Sequence, residues 1–185
     1  MPSDGYHYHI LRASHEKQHE ICNQLQLRLP TVHGRVFLPM WEYYRRDREC
    51  IEKKPMFIGY IFVRTDLVRS ELYDICRSLA RPVRAHLEND VNNLWIKEDD
   101  SLLDLTEDEE AFFDAVLDDA GIERMSRGYI GSDGRAVVME GPLKELADRI
   151  VKLDKRNWLA WLDMKVGDQL VKAGLEICER DIWSS

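Results

Sequence analysis

The chain has 185 residues, which is enough for one large domain or two small ones. Its composition, 44% hydrophobic and 32% charged, is ordinary for a folded protein, and no segment approaches the roughly 18 consecutive apolar residues of a membrane span. The net charge is −8, and residues 96–127 alone carry −9. A general affinity for polyanions is therefore excluded, and nucleic-acid binding would need a local basic region.

The N-terminal sequence MPSDGYHYHI has neither the basic start nor the apolar core of a secretory signal. The cysteines, Cys22, Cys50, Cys76 and Cys178, are scattered, without the C-x-x-C spacing of a zinc site or a redox centre. We interpret them as reduced thiols and predict a cytoplasmic protein that needs no metal or other cofactor.

The first predicted elements are a strand and a helix. Residues 6–12 (YHYHILR) are rich in aromatic and aliphatic side chains, which favours a strand. An apolar stripe that begins at Ile21 predicts a helix, which Ser14 caps and Pro30 ends.

A basic region follows between two predicted strands. Residues 35–39 (RVFLP) predict a short strand, and the polar, arginine-rich residues 41–54 predict a protruding hairpin or a loop. Residues 56–65 (MFIGYIFVRT) are typical of a central strand, because so apolar a run is normally covered on both faces. Gly59 within this run predicts a bulge or a close approach of two backbones.

The next segments are predicted to be mainly helical. Apolar residues return at helical spacing in residues 69–80, and Pro82 predicts the end of that helix. A short strand is expected within residues 83–97. A T-x-x-E capping box at residues 106–109 predicts an acidic helix that ends at Gly121.

The character of the sequence changes at Gly128, after which short apolar runs alternate with polar turns and predict a small β-barrel. We therefore predict an α+β protein with an N-terminal domain over residues 1–120, a linker over 121–127 and a C-terminal barrel over 128–185. Apolar side chains in residues 143–151 also have helical spacing, so a helical form of this segment stays open as an alternative.

Two motifs resemble the NusG family of transcription elongation factors. The first, KKPMFIGYIFV (residues 53–63), is similar to the family's core strand, and YHYHILRASHEK and RVFLP precede it in the family's order. The second, VVMEGPLKE (residues 137–145), is similar to a KOW motif. The resemblance implies an N-terminal NusG-type domain, with an antiparallel sheet flanked by helices, and a small SH3-like KOW β-barrel.

Two further segments, residues 125–143 and 171–180, are similar to the LoaP group of specialised paralogues within this family. The resemblance implies a protein without enzymatic activity that binds bacterial RNA polymerase and promotes processive antitermination at selected operons. A KOW domain of this kind has a ribosomal protein or Rho as its possible partner, and the sequence leaves open which of them it binds, if either. We expect a monomer that does not bind membranes.

The resemblance implies a binding site for the clamp helices of RNA polymerase, at positions that match Tyr6, His7, Phe57 and Tyr60. Aromatic side chains are common in binding hot spots. Phe57 and Tyr60 have a second interpretation as core residues, which residue type alone favours.

Basic side chains form two candidate nucleic-acid sites. The first lies beside Tyr43 and Tyr44 and consists of Arg45, Arg46, Arg48, Lys53 and Lys54. Cations next to aromatic rings suit phosphate contact and base stacking, so we predict contact with an RNA hairpin or with the non-template DNA strand. The second consists of Arg77, Arg81 and Arg84. The alternative for both is a solvated charged surface.

Two alternative functions stay open. Residues 15–19 (HEKQH) satisfy the H-E-x-x-H pattern of zinc-dependent peptidases, although no third ligand stands out in the sequence. The other alternative is a KOW-type accessory protein that binds RNA or the ribosome and makes no contact with polymerase.

Overall fold

A computed structural model describes residues 5–86 and 102–183, except for the side chains of residues 80–86 and 181. No helix within these ranges combines the length and the apolar character needed to cross a bilayer. The helices and strands follow in chain order: β1 (His7–Arg12), α1 (Gln18–Arg28), β2 (Gly34–Phe37), β3 (Met40–Arg45), β4 (Cys50–Pro55), β5 (Tyr60–Thr65), α2 (Arg69–His86), β6 (Leu102–Asp104), α3 (Glu107–Val116), β7 (Ile122–Glu123), β8 (Ser126–Ile130), β9 (Ala136–Glu140), β10 (Ile150–Asp154), β11 (Leu159–Val166) and β12 (Gln169–Ile177).

The residue contacts divide the chain into two compact units. The first unit comprises Met1–Leu38 and Phe57–Ala111, and the second comprises Pro39–Met56 and Phe112–Ser185. The hairpin of β3 and β4 therefore belongs with the C-terminal strands, although along the chain it comes between β2 and β5 of the first unit. The domain boundaries predicted from the sequence remain a prediction.

The first unit is built on a four-stranded sheet in the order β2-β5-β1-β6, with antiparallel neighbours throughout. Successive residues of a strand point to opposite faces, so Ile61 and Val63, two residues apart, share one face of β5. Both are buried in one core with Leu25 of α1 and Leu72 of α2. The apolar stripes predicted for the two helices are thus the surfaces that cover this face of the sheet.

Gly59 confirms the predicted close approach of two backbones. Its carbonyl oxygen accepts a hydrogen bond from Ala13 N at 2.9 Å, and its N–H donates to Gln18 Oε1 at 2.7 Å. Its φ is +79°, and a Cβ atom here would lie 2.9 Å from the carbonyl oxygen of Ala13. Gly59 precedes β5 instead of lying within it, so the apolar run of residues 56–65 is a turn followed by a strand.

Two predicted helix ends in the first unit are wrong. Helix α1 begins at Gln18, with Lys17 at the N-cap, because Ser14 lies in the preceding turn and its carbonyl oxygen accepts from Lys17 N. Helix α2 continues through Pro82 to His86. The fixed φ of proline is close to the helical value, although a proline removes one backbone donor and its ring crowds the carbonyl of the preceding turn. The strand predicted within residues 83–97 is a helix as far as His86, and its remainder lies outside the described residues.

The predicted capping box is confirmed at the start of α3. Thr106 N donates to Glu109 Oε2 at 2.7 Å, and Glu109 N donates to Thr106 Oγ1 at 3.4 Å. The helix ends at Val116, earlier than predicted. Gly121 instead closes a turn, with a φ of +74° and an N–H that donates to the Asp118 carbonyl oxygen at 2.8 Å.

The C-terminal strands form a five-stranded sheet in the order β10-β11-β12-β8-β9, which confirms the predicted run of short strands. Strands β12 and β8 are parallel, and the other neighbours are antiparallel. The two edge strands, β9 and β10, line one cavity of about 580 Å³. The sheet thus curls until its edges face each other, as in a KOW or SH3-like domain.

The segment with helical spacing does not form an α-helix in this structure. Residues Lys144–Arg149 form a 3₁₀ helix with an irregular residue, Leu146, and Ile150 begins β10. Leu143 is fully buried. The apolar residues at helical spacing therefore belong to a short connection and a strand.

The hairpin of β3 and β4 confirms one of the two forms predicted for residues 41–54. Its strands are antiparallel, and β7 pairs with β3 in parallel. On the side of Tyr44, the hairpin packs against the C-terminal strands, with the ring stacked on Trp158 at 4.0 Å. Glu42 accepts hydrogen bonds from Arg124 Nη1 and Met125 N, both at 2.9 Å. These contacts account for the place of the hairpin in the second unit.

Candidate functional site: an aromatic sheet face and a basic hairpin

The sheet of the first unit carries aromatic side chains on the face opposite its helices. The register places Tyr8 beside Arg64, and Ile10 beside Phe62. The Phe57 ring stacks on Phe62 at 5.6 Å between centroids. Tyr8, Ile10 and Phe62 therefore share one face of the sheet, and the Phe57 ring adds to it from the turn before β5.

Phe57 and Tyr60, two of the predicted polymerase-binding residues, are buried within this aromatic cluster. Their exposed fractions are 1% and 3%, and their rings meet edge to face at 6.4 Å. This burial agrees with the core interpretation that residue type favoured. Their contact with polymerase stays a prediction, and it would require their surroundings to change.

Tyr6 and His7, the other two predicted polymerase-binding residues, lie at the more accessible start of β1. The Tyr6 hydroxyl donates to the Val32 carbonyl oxygen at 2.9 Å, and the Arg64 guanidinium lies 5.4 Å from the centre of the Tyr6 ring. His7 is exposed, with Nδ1 3.5 Å from Glu110 Oε1. Their role in binding polymerase also stays a prediction.

Ion pairs already engage two of the predicted nucleic-acid residues, Arg45 and Arg48. Arg45 Nε lies 3.0 Å from Asp47 Oδ1, and Arg45 Nη1 lies 3.0 Å from Glu52 Oε2. Arg48 Nη1 lies 3.3 Å from the other oxygen of Glu52. The hydrogen bonds from Arg45 lower the pKa of both carboxyl groups. Much of the positive charge at the tip of the hairpin is therefore balanced locally.

Lys53 and Lys54 lie on opposite faces of the hairpin, because the register pairs them with neighbouring residues of β3. Lys54 Nζ lies 4.2 Å from the centre of the Tyr43 ring and 4.6 Å from that of Trp41. Burial, together with the positive charge of Lys172, lowers the pKa of Lys54. Lys53 is exposed, as is Arg46 at the tip.

The second predicted basic site belongs to helix α2 of the first unit. Arg77 is exposed there. Arg81 and Arg84 lie outside the residues whose side chains are described. The five predicted residues of the first site thus share one hairpin but not one face of it, and the nucleic-acid role of both groups stays a prediction.

The H-E-x-x-H residues do not have the geometry of a zinc peptidase. Both imidazoles would have to project from one helix, but α1 begins at Gln18, so His15 lies in the preceding turn and only His19 is helical. Within residues 5–86 and 102–183, no cluster of three potential metal ligands occurs. Burial raises the pKa of the Cys22 thiol to about 11 and that of the Cys76 thiol to about 12, which keeps both protonated.

Sequence reasoning missed two buried polar groups. Gln18 is 1% exposed and holds the Gly59 turn. Glu123 is also 1% exposed, with Oε2 accepting from Gly174 N at 3.3 Å and no partner in the described structure for Oε1. Burial, with the nearby charge of Glu42, raises the pKa of Glu123 well above its usual range, although the Gly174 hydrogen bond opposes the shift. Glu123 belongs to no recognisable motif, and Gln18 is an unspecified position of the H-E-x-x-H pattern, so the sequence offered no signal for either.

Residues 6–94 match the family model described as "Transcription termination factor nusG". No curated protein matches the chain. A solved structure, "Domain interaction in Thermotoga maritima NusG", is similar at 13% identity and a TM-score of 0.41, covering 93% of this chain and 94% of that chain. Both values are low, so the family assignment rests on the match of residues 6–94 alone.

The matched residues make up just under half of the chain, and the match supports the predicted NusG family for them. NusG-family factors are not enzymes, and they interact with RNA polymerase. The match thus supports a general role in transcription elongation or termination.

Proposed function

We propose that the protein is a specialised, LoaP-like NusG paralogue that binds the clamp helices of bacterial RNA polymerase and promotes processive antitermination at selected operons. The match of residues 6–94 to the NusG family carries this proposal. The curled C-terminal sheet and the KOW-like motif in residues 137–145 support a second domain of the same kind of factor.

The polymerase site is proposed at the start of β1 and on the adjoining aromatic face. Tyr6 and His7 are accessible enough for direct contact, and an aromatic ring with a polar group suits a binding hot spot. Phe57 and Tyr60 support the same face from within the ring cluster. Binding that holds the polymerase closed on its nucleic acid would reduce pausing without any bond being made or broken.

The hairpin of β3 and β4 is proposed to contact an RNA hairpin or the non-template DNA strand. Arg46 and Lys53 support this role because both are exposed, and Lys54 adds a cation beside two aromatic rings. Arg45 and Arg48 contribute less net charge, since Asp47 and Glu52 pair with them. The KOW-like domain is proposed to bind a ribosomal protein or Rho, and the protein to act as a cytoplasmic monomer at transcription complexes.

Transcription in vitro through an intrinsic terminator tests the proposal. Transcription by purified bacterial polymerase is measured with and without the protein and candidate leader RNAs. We expect a larger fraction of transcripts to extend past the terminator when the protein is present. We expect the double variant Tyr6→Ala/His7→Ala to weaken binding to core polymerase by about 1–2 kcal/mol, roughly tenfold.

The matched control is His15→Ala/His19→Ala, which changes two exposed side chains outside the aromatic face. We expect it to bind polymerase as the unaltered protein does. If the protein does not bind core polymerase in a pull-down, the proposal is wrong.

A further inference from the structure

We propose that a row of lysines and aromatic rings on the second unit binds an unpaired nucleic-acid strand. This lysine–aromatic row consists of Lys152, Trp161, Lys172, Lys54 and Tyr43. It extends the nucleic-acid contact proposed above for the β3–β4 hairpin and rests on that proposal through Lys54, but it does not depend on the proposed polymerase contact. Four of its five members lie outside the predicted basic sites.

The C-terminal sheet aligns three members of the row on neighbouring strands. The register pairs Lys152 of β10 with Trp161 of β11, and Trp161 with Lys172 of β12. Paired residues in antiparallel strands lie on the same face, so the three side chains form a line about 10 Å long across the sheet. The buried neighbours of Trp161 are Ala160 and Leu162, which places the line on the outer face.

The hairpin extends this line beyond the sheet. Gly174 of β12 has no side chain, and a Cβ atom there would collide with the carbonyl oxygen of Glu42 on β3. The missing side chain lets β3 lie directly on β12, two residues from Lys172. Lys54 then lies close enough to Lys172 for the two positive charges to interact unfavourably, which helps lower the pKa of Lys54.

The row holds two neighbouring cations, Lys54 and Lys172, with which no carboxylate pairs in the described residues. Within the described residues, no ion pair involves Lys54, Lys152 or Lys172. The charge of Asp154 interacts with Lys152 and helps lower the pKa of Asp154, so the cations of the row without an opposite charge beside them are Lys54 and Lys172. Like charges placed together without an opposite charge are unfavourable in the free protein, and an anion relieves that cost.

The aromatic rings indicate which kind of anion fits. Lys152 Nζ lies 4.6 Å from the centre of the Trp161 ring, and Lys54 Nζ lies 4.2 Å from that of Tyr43. Such contacts are weak at exposed positions, so a phosphate can draw each ammonium group away and uncover a ring. Cations that track a backbone beside rings that stack with bases are the features of single-strand binding sites. A duplex offers no free base faces, and an acidic peptide would satisfy only the cations.

Fluorescence anisotropy with the full chain tests this site without polymerase. The probes are labelled 12-nucleotide uridine and thymidine strands and a 12-base-pair duplex. We expect both single strands to bind at least about fivefold more tightly than the duplex, because stacking adds to the phosphate contacts. A preference for the uridine strand over the thymidine strand would identify RNA as the ligand, and the reverse would identify DNA.

Two sets of variants locate the binding. We expect Lys152→Gln/Lys172→Gln to weaken binding of the uridine strand about tenfold and to reduce the slope of log K against log salt by about 1.4, since two phosphate contacts are lost. We expect Trp161→Ala to weaken binding of the uridine strand about fivefold, and Trp161→Phe to weaken it less, because phenylalanine still stacks with bases. Circular dichroism checks that each variant is folded.

The matched control is Lys144→Gln/Lys155→Gln, which makes the same charge change at exposed positions outside the row. An equal loss of affinity in this control would overturn the proposal, as would equal binding of the duplex. Displacement of the uridine strand by polyglutamate at equal charge concentration would also overturn it and indicate an acidic protein partner. The anisotropy assay needs no polymerase, so a negative result in it does not contradict the transcription test. A negative transcription test likewise does not contradict single-strand binding.

Discussion

At the scale of single residues, Gly59 fixes the connection between β1 and α1. The loop after β1 and the turn before β5 share one backbone hydrogen bond at this point, and the Gln18 side chain accepts a second from the Gly59 N–H. The sequence predicted a close approach at Gly59 because a glycine inside an apolar run typically marks a bulge or a place where another backbone lies close. It did not predict Gln18, since a polar residue at the start of a helix is normally exposed.

We expect Gly59→Ala to lower the free energy of unfolding by about 2–3 kcal/mol. The positive φ accounts for about 1–2 kcal/mol of this, and the contact with the Ala13 carbonyl oxygen for the rest. Urea denaturation followed by circular dichroism measures the change. The control is Gly134→Ala, which has a φ of +81° but no atom within 4 Å of the added Cβ. Equal losses in the two variants would show that the contact contributes nothing.

Glu123 is the other residue whose surroundings have a measurable consequence. Its pKa in the folded protein is raised above the ordinary value of 4.5, first by burial and then by the charge of Glu42. At pH values between these two pKa values, the folded state retains a proton that the unfolded state has released. Stability therefore falls as pH rises through this interval.

We expect Glu123→Gln to be more stable than the unaltered protein at pH 7, and the difference to vanish near pH 4. Glutamine carries no charge and keeps an oxygen that can accept the hydrogen bond from Gly174 N. Urea denaturation at several pH values measures both effects, with exposed Glu145→Gln as the control. A pH dependence that survives in Glu123→Gln would contradict this assignment.

At the scale of elements, the β3–β4 hairpin shows how far sequence reasoning reaches. A protruding hairpin was one of the two forms predicted for the polar, arginine-rich residues 41–54, and a loop was the other. Its packing could not be predicted, because the contacts of Tyr44 and Glu42 are with residues more than 80 positions away. The pairing of Arg45 with Asp47 and Glu52 is local in sequence by contrast, and it agrees with the solvated charged surface that the sequence left open as the alternative.

We expect Tyr44→Ala to speed hydrogen exchange of the amides in residues 40–55, because it removes the stack on Trp158. A double-mutant cycle with Trp158→Ala should give a coupling energy of about 0.5–1.5 kcal/mol. Tyr44→Phe keeps the ring and should behave as the unaltered protein. The control is Tyr43→Phe, which leaves this stack intact and removes only a hydroxyl on the other face of the hairpin. A coupling energy near zero would show that the stack does not hold the hairpin.

At the scale of the whole molecule, the division into units differs from the order of the sequence. Sequence patterns predicted the run of C-terminal strands correctly, because each strand has its own apolar residues and turns. They could not predict that residues 39–56 join those strands, since no local pattern records a partner so distant in the chain. The predicted nucleic-acid site and the C-terminal strands therefore share one unit.

We expect replacement of residues 40–55 by a glycine–serine linker to destabilise the C-terminal strands. Strand β7 would lose its partner β3, and the Trp158 ring would lose its stack. Faster hydrogen exchange in β11 and β12 would report this loss. Replacement of the turn residues 46–49 alone should leave exchange in these strands unchanged. If the linker variant also leaves it unchanged, the C-terminal strands are stable without the hairpin.

The second unit is made of two segments that are far apart in the sequence, and this has a consequence during synthesis on the ribosome. The hairpin emerges first, but strand β12, on which it lies, ends only at Ile177, roughly 120 residues later. At about 5–20 residues per second, the hairpin waits on the order of 6–24 s before the strands it needs exist. Throughout that delay, the Tyr44 ring lacks the Trp158 ring on which it stacks, so the newly made chain is most exposed to aggregation while its second half is being translated.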